Sequence, residues 1–166
     1  MPSDSWIWTK RSEKVMPGLI NEELRSQIGL SPEPRTELVT RRDIRKYSVA
    51  TNQRQQKYLD GDEAPPLFHM ALFWDVVEQD KTTPDGVALD NWLPEFPLKR
   101  AMAGSLKLEY YQTILPGQTL SAHRTLSDMY EKQGSSGPLI FYTVTTEVRN
   151  QSGKPVLTEK ATRILR

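Results

Sequence analysis

Cysteine is absent from this 166-residue chain, and histidine occurs only twice, as His69 and His123. A chain without cysteine forms no disulfide and no thiolate metal site, and two histidines are too few for a histidine-rich metal cage. We therefore expect no metal and no other cofactor. The same absence is typical of proteins that work in a reducing compartment.

Long apolar runs and an excess of one charge are missing as well. No apolar segment approaches the roughly 20 residues that a membrane-spanning helix needs, and the first ten residues do not resemble a secretion signal. The 22 Lys and Arg residues balance 21 Asp and Glu residues, and no basic block suited to phosphates occurs. These features argue against a membrane or a nucleic acid as partner. They predict a cytoplasmic protein with one domain over residues 1–166.

The first part of the chain has helical patterns. Apolar residues recur at helical spacing between positions 17 and 29, so residues 1–27 are interpreted as an N-terminal extension with a short helix. Thr40 and Asp43 form the Thr-x-x-acid pattern with which many helices begin. A second short helix is therefore predicted from position 40.

A strongly apolar segment follows. It reads PPLFHMALFWDVVEQ from Pro65 onward and is apolar on nearly every helical face. A helix of this composition is expected to be buried on all sides, and prolines suit the first turn of a helix. The segment predicts a buried central helix over residues 66–79.

From Ser105 onward the pattern changes to that of strands. Alternating residues rich in β-branched and aromatic types are separated by turn signals near positions 117, 135 and 151. Four long antiparallel strands are predicted, the first over residues 105–114. A long sheet that needs cover on one face, preceded by an apolar helix, indicates an α+β fold in which the sheet wraps the helix.

Four short blocks carry a family likeness. They read APPLFHMALFW, FPLKRAMAGS, GSSGPLIFYTV and PVLTEK, within a region from about Ile28 to Arg166. Together they resemble the first half of MaoC-like, type 2 3-hydroxyacyl-thioester dehydratases and mesaconyl-CoA hydratases. The resemblance implies a hot-dog fold, a dimer, and an acyl thioester of CoA or acyl carrier protein as substrate. It also implies that the catalytic residues come from a second hot-dog half or a partner subunit.

The motif that carries the chemistry in such enzymes is altered in this sequence. Active members use a stretch similar to A-T-G-D-x-N-P-x-H, in which Asp and His flank one water. The matching stretch here is ATNQRQQKY, so Gln53 replaces the Asp and Tyr58 replaces the His. A glutamine is no base, and a phenol with an ordinary pKa of about 10 is a poor one at neutral pH. In a shifted alignment, Asp60, Asp62 or Glu63 could supply a carboxylate.

His69, Tyr58 and Asp60 are the candidate acid or base residues. Hydration of an enoyl thioester needs a base for water, an acid for the α-carbon and donors for the oxyanion. The alternative for His69 is a core histidine that is hydrogen-bonded to the backbone. His123 is expected on a sheet surface, and Asp75 is expected at a solvated or capped helix end.

The candidate substrate-binding residues are Pro65, Pro66, Arg100, Met102, Ala103 and Gly104. Arg100 suits a CoA phosphate because a guanidinium pairs well with phosphate. A structural role is the alternative for Arg100, and a turn is the alternative explanation for Gly104.

Three functions remain open on the sequence. The first is a non-catalytic subunit that completes the substrate tunnel of an enoyl-thioester hydratase or 3-hydroxyacyl-thioester dehydratase, together with a catalytic hot-dog partner. The second is a self-sufficient homodimeric isomerase, cyclase or hydratase acting on an unsaturated substrate. The third is a binding module for an acyl chain. The first function accounts for the altered motif most directly.

Overall fold

The structure, a computed structural model, describes residues 18–74, 76–82 and 90–166. The helices are α1 (Glu22–Ser26), α2 (Arg41–Ala50), α3 (Gln56–Leu59) and α4 (Phe68–Phe73), with a 3-10 turn at Gln79–Lys81. The strands are β1 (Arg35–Leu38), β2 (Ala101–Tyr110), β3 (Thr119–Gly134), β4 (Gly137–Asn150) and β5 (Pro155–Leu165). The predicted α+β class is confirmed. None of the described helices is long and apolar enough to cross a membrane.

The five strands form one antiparallel sheet in the order β1-β3-β4-β5-β2. The four predicted strands correspond to β2–β5, although β2 begins at Ala101, before the expected start at Ser105. Strand β1 was missed because it has only four residues and follows a segment broken by prolines. Strand β1 forms by pairing with the start of β3, and local sequence does not encode such a tertiary contact.

The first two helices follow their sequence signals. Helix α1 lies within the predicted 17–29 segment and begins after Asn21, whose side chain accepts a hydrogen bond from the Leu24 N–H. Helix α2 begins where the Thr-x-x-acid pattern predicts it, and the Asp43 N–H donates to the Thr40 hydroxyl at 3.1 Å. Such side-chain caps satisfy N–H groups that have no partner within the helix.

Buried apolar side chains form two clusters on the sheet. The first cluster joins α2 and α4 to one end of the sheet and includes Ile44, Phe68, Leu120, Val148 and Leu157. The second cluster covers the other end with residues near α1 and the segment 92–98, and it includes Ile20, Phe96, Leu126, Ile140 and Leu165. Helix α4 therefore packs on one end of the sheet, and the region near α1 packs on the other.

The central helix is shorter than predicted. Helix α4 spans only Phe68–Phe73, and the backbone of Trp74 is already extended. Phe68 is buried, but Trp74 is 60% exposed and Val76 is fully exposed, so burial on all sides was wrong. The sheet and α2 cover only one side of this short helix. The apolar composition of the segment did not reveal how many of its side chains the rest of the fold would bury. Asp75 lies outside the described residues.

Candidate functional site

The stretch predicted to correspond to the Asp/His motif begins at the end of α2 and continues into α3. Gln53 lies in the connection and its side-chain amide donates to the Thr51 hydroxyl at 3.3 Å. Tyr58 lies in α3 with its side chain almost fully buried, and the Lys57 ammonium is 4.9 Å from the centre of its ring. Neither residue supplies a carboxylate or an imidazole at these two positions.

A cleft of about 310 Å³ opens beside α3. Its lining includes Tyr58, Glu63, Pro65, Pro66, Tyr110 and Tyr111. The structure therefore brings together four of the residues named in the sequence analysis, namely Tyr58, Glu63 and the two prolines. Prolines and aromatic rings form the apolar part of the lining, and Glu63, Gln112 and Thr113 form the polar part, a mixture found in sites for small organic ligands.

The three nearby carboxylates occupy different surroundings. Asp60 is exposed at the end of α3 and accepts a hydrogen bond from the Gln56 amide at 2.8 Å. Asp62 pairs with an arginine of α2. Glu63 alone of the three lines the cleft, and its carboxylate lies 2.7 Å from the Lys57 ammonium. The hydrogen bond to Glu63 raises the pKa of Lys57, so the carboxylate in the cleft has a charged partner.

His69, in the first turn of α4, forms a second polar site. Its Nε2 atom lies 2.8 Å from Oε2 of Glu159, and the side chains are only 3% and 12% exposed. Within the part of the chain that the structure describes, the buried Nδ1 atom of His69 has no hydrogen-bond partner. The expected backbone hydrogen bond of a core histidine is therefore replaced by a contact with a carboxylate.

Glu159 was missed in the sequence. It lies on β5 opposite Leu108 of β2 and Thr146 of β4, so its side chain shares the inner face with buried residues. The signal was present, because Glu159 is two positions from Leu157 on one strand and successive side chains alternate between faces. A charged residue at an inward position needs a partner, and His69 is that partner.

Tyr110 connects the cleft to His69. Its ring meets the His69 ring edge to face, with the ring centres 6.2 Å apart, and the same ring lines the cleft. The Tyr110 hydroxyl accepts a hydrogen bond from the Leu67 N–H at 2.9 Å. Leu67 has a left-handed backbone (φ 67°), which is rare for a leucine. The turn that begins α4 is thus held against the end of β2.

The remaining candidate binding residues lie at the opposite end of β2. Arg100 exchanges two backbone hydrogen bonds with Arg166, and Met102 and Ala103 are exposed. Gly104 and Tyr110 are six positions apart, a separation of about 20 Å along a strand at ~3.3 Å per residue. These residues are therefore not brought into the cleft of the same chain.

Gly104 has a packing role at a β-bulge between β2 and β5. A Cβ atom at this position would lie 2.9 Å from the Thr162 carbonyl oxygen and 3.1 Å from the Ile164 side chain. The bulge, rather than a turn, accounts for this glycine. His123 is exposed on β3, as predicted.

Strand β2 forms an edge of the sheet. Only Leu108 among its ten residues is partly buried, and the other nine are exposed. Leu106 and Tyr110 lie on the same face as Leu108 and are 45% and 44% exposed. An exposed, apolar edge strand is a surface at which further strands pair.

Known proteins resemble this chain in sequence and in fold. A family model described as "FAS1-like, dehydratase domain region" matches residues 26–159. Mesaconyl-C(4)-CoA hydratase from Chloroflexus aurantiacus is 28% identical over 81 residues, which are 48% of this chain and 29% of the hydratase. The aligned part thus spans less than a third of that relative.

Solved structures support the fold. The ChsH1-ChsH2 complex from Mycobacterium tuberculosis matches with a TM-score of 0.64 and 18% identity, over 86% of this chain and 89% of that chain. A MaoC-like dehydratase from Rhodospirillum rubrum matches with a TM-score of 0.52 and 15% identity, over 83% and 91%. The predicted hot-dog fold is confirmed.

Proposed function

Because this chain belongs to the family of the FAS1-like dehydratase domain region, we propose that it is a subunit of an enoyl-thioester hydratase or 3-hydroxyacyl-thioester dehydratase. In this proposal it contributes walls of the substrate tunnel, and a catalytic hot-dog partner contributes the Asp/His pair. The proposal is supported by the predicted replacement of the Asp and His at Gln53 and Tyr58, and by the position of Tyr58 in the lining of the cleft.

The chemistry of the cleft supports a non-catalytic role. Activation of water requires a free basic group within hydrogen-bond reach of the reacting atom. Of the residues that line the cleft, Tyr58 has a phenol and the Glu63 carboxylate is paired with Lys57. The prolines and aromatic rings of the lining still suit an acyl chain or its thioester carrier. The cleft is therefore better equipped to hold such a ligand than to hydrate it.

The exposed strand β2 is the proposed contact with the partner. Pairing of two hot-dog sheets along their edges would cover Leu106 and satisfy the outer backbone groups of β2. It would also bring the partner's residues to the side chains around Arg100, which would become part of a shared site. The solved relative from Mycobacterium tuberculosis is itself described as a complex.

The test is co-expression with hot-dog chains that carry the Asp/His motif, starting with any encoded beside this one. We expect the purified chain to be inactive on crotonyl-CoA and the co-purified complex to hydrate it. Leu106→Lys should abolish co-purification, whereas Val49→Lys should not, because Val49 is also apolar and is 69% exposed but lies on α2 rather than on the edge strand. Stable association with full activity in Leu106→Lys would contradict the proposed contact.

A self-sufficient homodimer is the second candidate, and the buried His69–Glu159 pair favours it. Turnover of an unsaturated thioester by this chain alone, lost in His69→Gln with the fold intact, would support this candidate and exclude the first. Ligand retention without turnover, both alone and with each partner, would instead indicate an acyl-binding module.

A further inference from the structure

Three unusual features meet at the start of α4. The Nδ1 atom of His69 is buried without a partner among the described residues, Glu159 is a buried carboxylate, and Leu67 has a left-handed backbone. Buried polar atoms are normally hydrogen-bonded, and strained backbone of this kind tends to occur at functional sites. Their coincidence at one place makes the start of α4 a candidate for a second binding site.

Glu159 determines which nitrogen of His69 is available. A carboxylate accepts hydrogen bonds, so the hydrogen atom of a neutral imidazole lies on Nε2, which is 2.8 Å from Glu159. The Nδ1 atom then carries a lone pair and acts as an acceptor. A ligand that satisfies it must present an O–H or N–H group.

Tyr110 links His69 to the cleft. Tyr110 contacts the His69 ring, is one of the residues that line the cleft, and is 44% exposed. His69 itself does not line the cleft, so a ligand reaches Nδ1 in this inference only after the Tyr110 ring moves aside. Displacement of the ring also releases the Leu67 N–H, which is a donor that a ligand carbonyl can accept.

We propose that the Nδ1 atom of His69 accepts a hydrogen bond from the 3-hydroxyl group of a hydroxyacyl thioester, with Glu159 as the positioning residue behind it. This inference rests on the acyl-thioester ligand of the proposed function. It adds a polar recognition point that belongs to this chain and is separate from the altered motif at Gln53 and Tyr58.

The direct test compares two small probes that differ by one hydroxyl group. They are the N-acetylcysteamine thioesters of 3-hydroxybutyrate and of butyrate, titrated into the full chain without a partner. We expect the hydroxylated probe to bind roughly fivefold more tightly, as one net hydrogen bond implies. Equal affinities, or no binding of either probe, would overturn the inference, because His69, Glu159 and Tyr110 all belong to this chain.

Three substitutions distinguish the roles of the two nitrogens of His69. In His69→Gln the side-chain amide still reaches Glu159, but no acceptor remains near Nδ1, so the fold should persist and the hydroxyl preference should vanish. Glu159→Ala should also remove the preference, and Glu159→Gln should restore part of it because the amide oxygen still accepts from Nε2. A preference that survives His69→Gln would refute the assignment.

Nitrogen NMR gives a readout that does not depend on these variants. The chain has only two histidines, so His123→Gln leaves His69 as the sole labelled ring. We expect a proton on Nε2, an unprotonated Nδ1, and a shift of the Nδ1 resonance with the hydroxylated probe alone. An unchanged Nδ1 resonance at saturation would contradict the inference and leave the co-expression test of the proposed function intact.

Discussion

We expect the first turn of α4 to contribute most of the packing energy of this short helix. Truncation of one aromatic residue at each end, Phe68 and Trp74, compares the two contributions to the free energy of unfolding. Phe68 is 2% exposed, packs in the cluster with Ile44, and meets the Tyr47 ring edge to face at 5.7 Å. Phe-to-Ala changes in cores cost about 3–5 kcal/mol of the free energy of unfolding, including the cavity left behind. We expect Phe68→Ala to cost about 4 kcal/mol.

Trp74→Ala is the matched control. Trp74 is 60% exposed and its backbone has left the helix, so its loss should change the free energy of unfolding by no more than about 0.5 kcal/mol. The assay is urea denaturation of the full chain, followed by circular dichroism. At roughly 2–4 °C per kcal/mol, Phe68→Ala should also lower Tm by about 8–16 °C. A loss in Trp74→Ala as large as that in Phe68→Ala would refute the short helix.

Three further predictions concern the N-terminal cap of α2, the β-bulge at Gly104 and the buried Tyr142. Thr40→Ala should cost about 1 kcal/mol in urea denaturation because α2 loses the acceptor for the Asp43 N–H, and an unchanged midpoint would argue against the cap. Gly104→Ala should cost about 1–3 kcal/mol because its Cβ would lie 2.9 Å from the Thr162 carbonyl oxygen; a neutral Gly104→Ala would mean that the bulge relaxes freely. Burial, with a smaller contribution from a nearby carboxylate, raises the pKa of Tyr142 above 10.0. Because the folded pKa exceeds the unfolded one, this stabilisation is complete below about pH 10 and is lost as the pH rises through the folded pKa. Burial also raises the pKa of Tyr47, so absorbance titration should show more than one late-titrating phenol, one of which disappears in Tyr142→Phe. An unchanged late phase in Tyr142→Phe would contradict this assignment.

Local patterns predicted the elements whose order arises locally. The start of α2 followed from Thr40 and Asp43, because a cap is a contact between residues three positions apart. The long strands β3–β5 followed from alternation and turn signals, since each pairs with its neighbour in the sequence. The extent of α4 did not follow, because it depends on how much of the helix the sheet and α2 cover. Strand β1 also depends on a distant partner, the first residues of β3.

The residues of the candidate site differ in the same way: some could be identified from local sequence, and others depend on distant contacts. Gln53 and Tyr58, the predicted replacements of the Asp and His, stand in one short stretch of sequence, and the neighbouring prolines line the same cleft as Tyr58. His69 was identified as a candidate, but its partner Glu159 is 90 positions away and meets it only through the register of β5. Pairing of this kind becomes predictable once the inward face of a strand is assigned, because a charged residue on that face demands a partner.

The two polar sites therefore suit different roles, one beside the proposed position of the chemistry and one in recognition of the ligand. In the proposed function, Gln53 and Tyr58 stand where active members have the groups that activate water, and the carboxylate in the cleft is paired with Lys57. At His69, the imidazole is oriented by a carboxylate and keeps one buried nitrogen without a partner among the described residues. A group that is oriented but has no second partner is suited to recognition of a ligand. If a partner supplies the chemistry, the selectivity of the complex for hydroxylated ligands should depend on His69, while its turnover should depend on the partner's Asp/His pair.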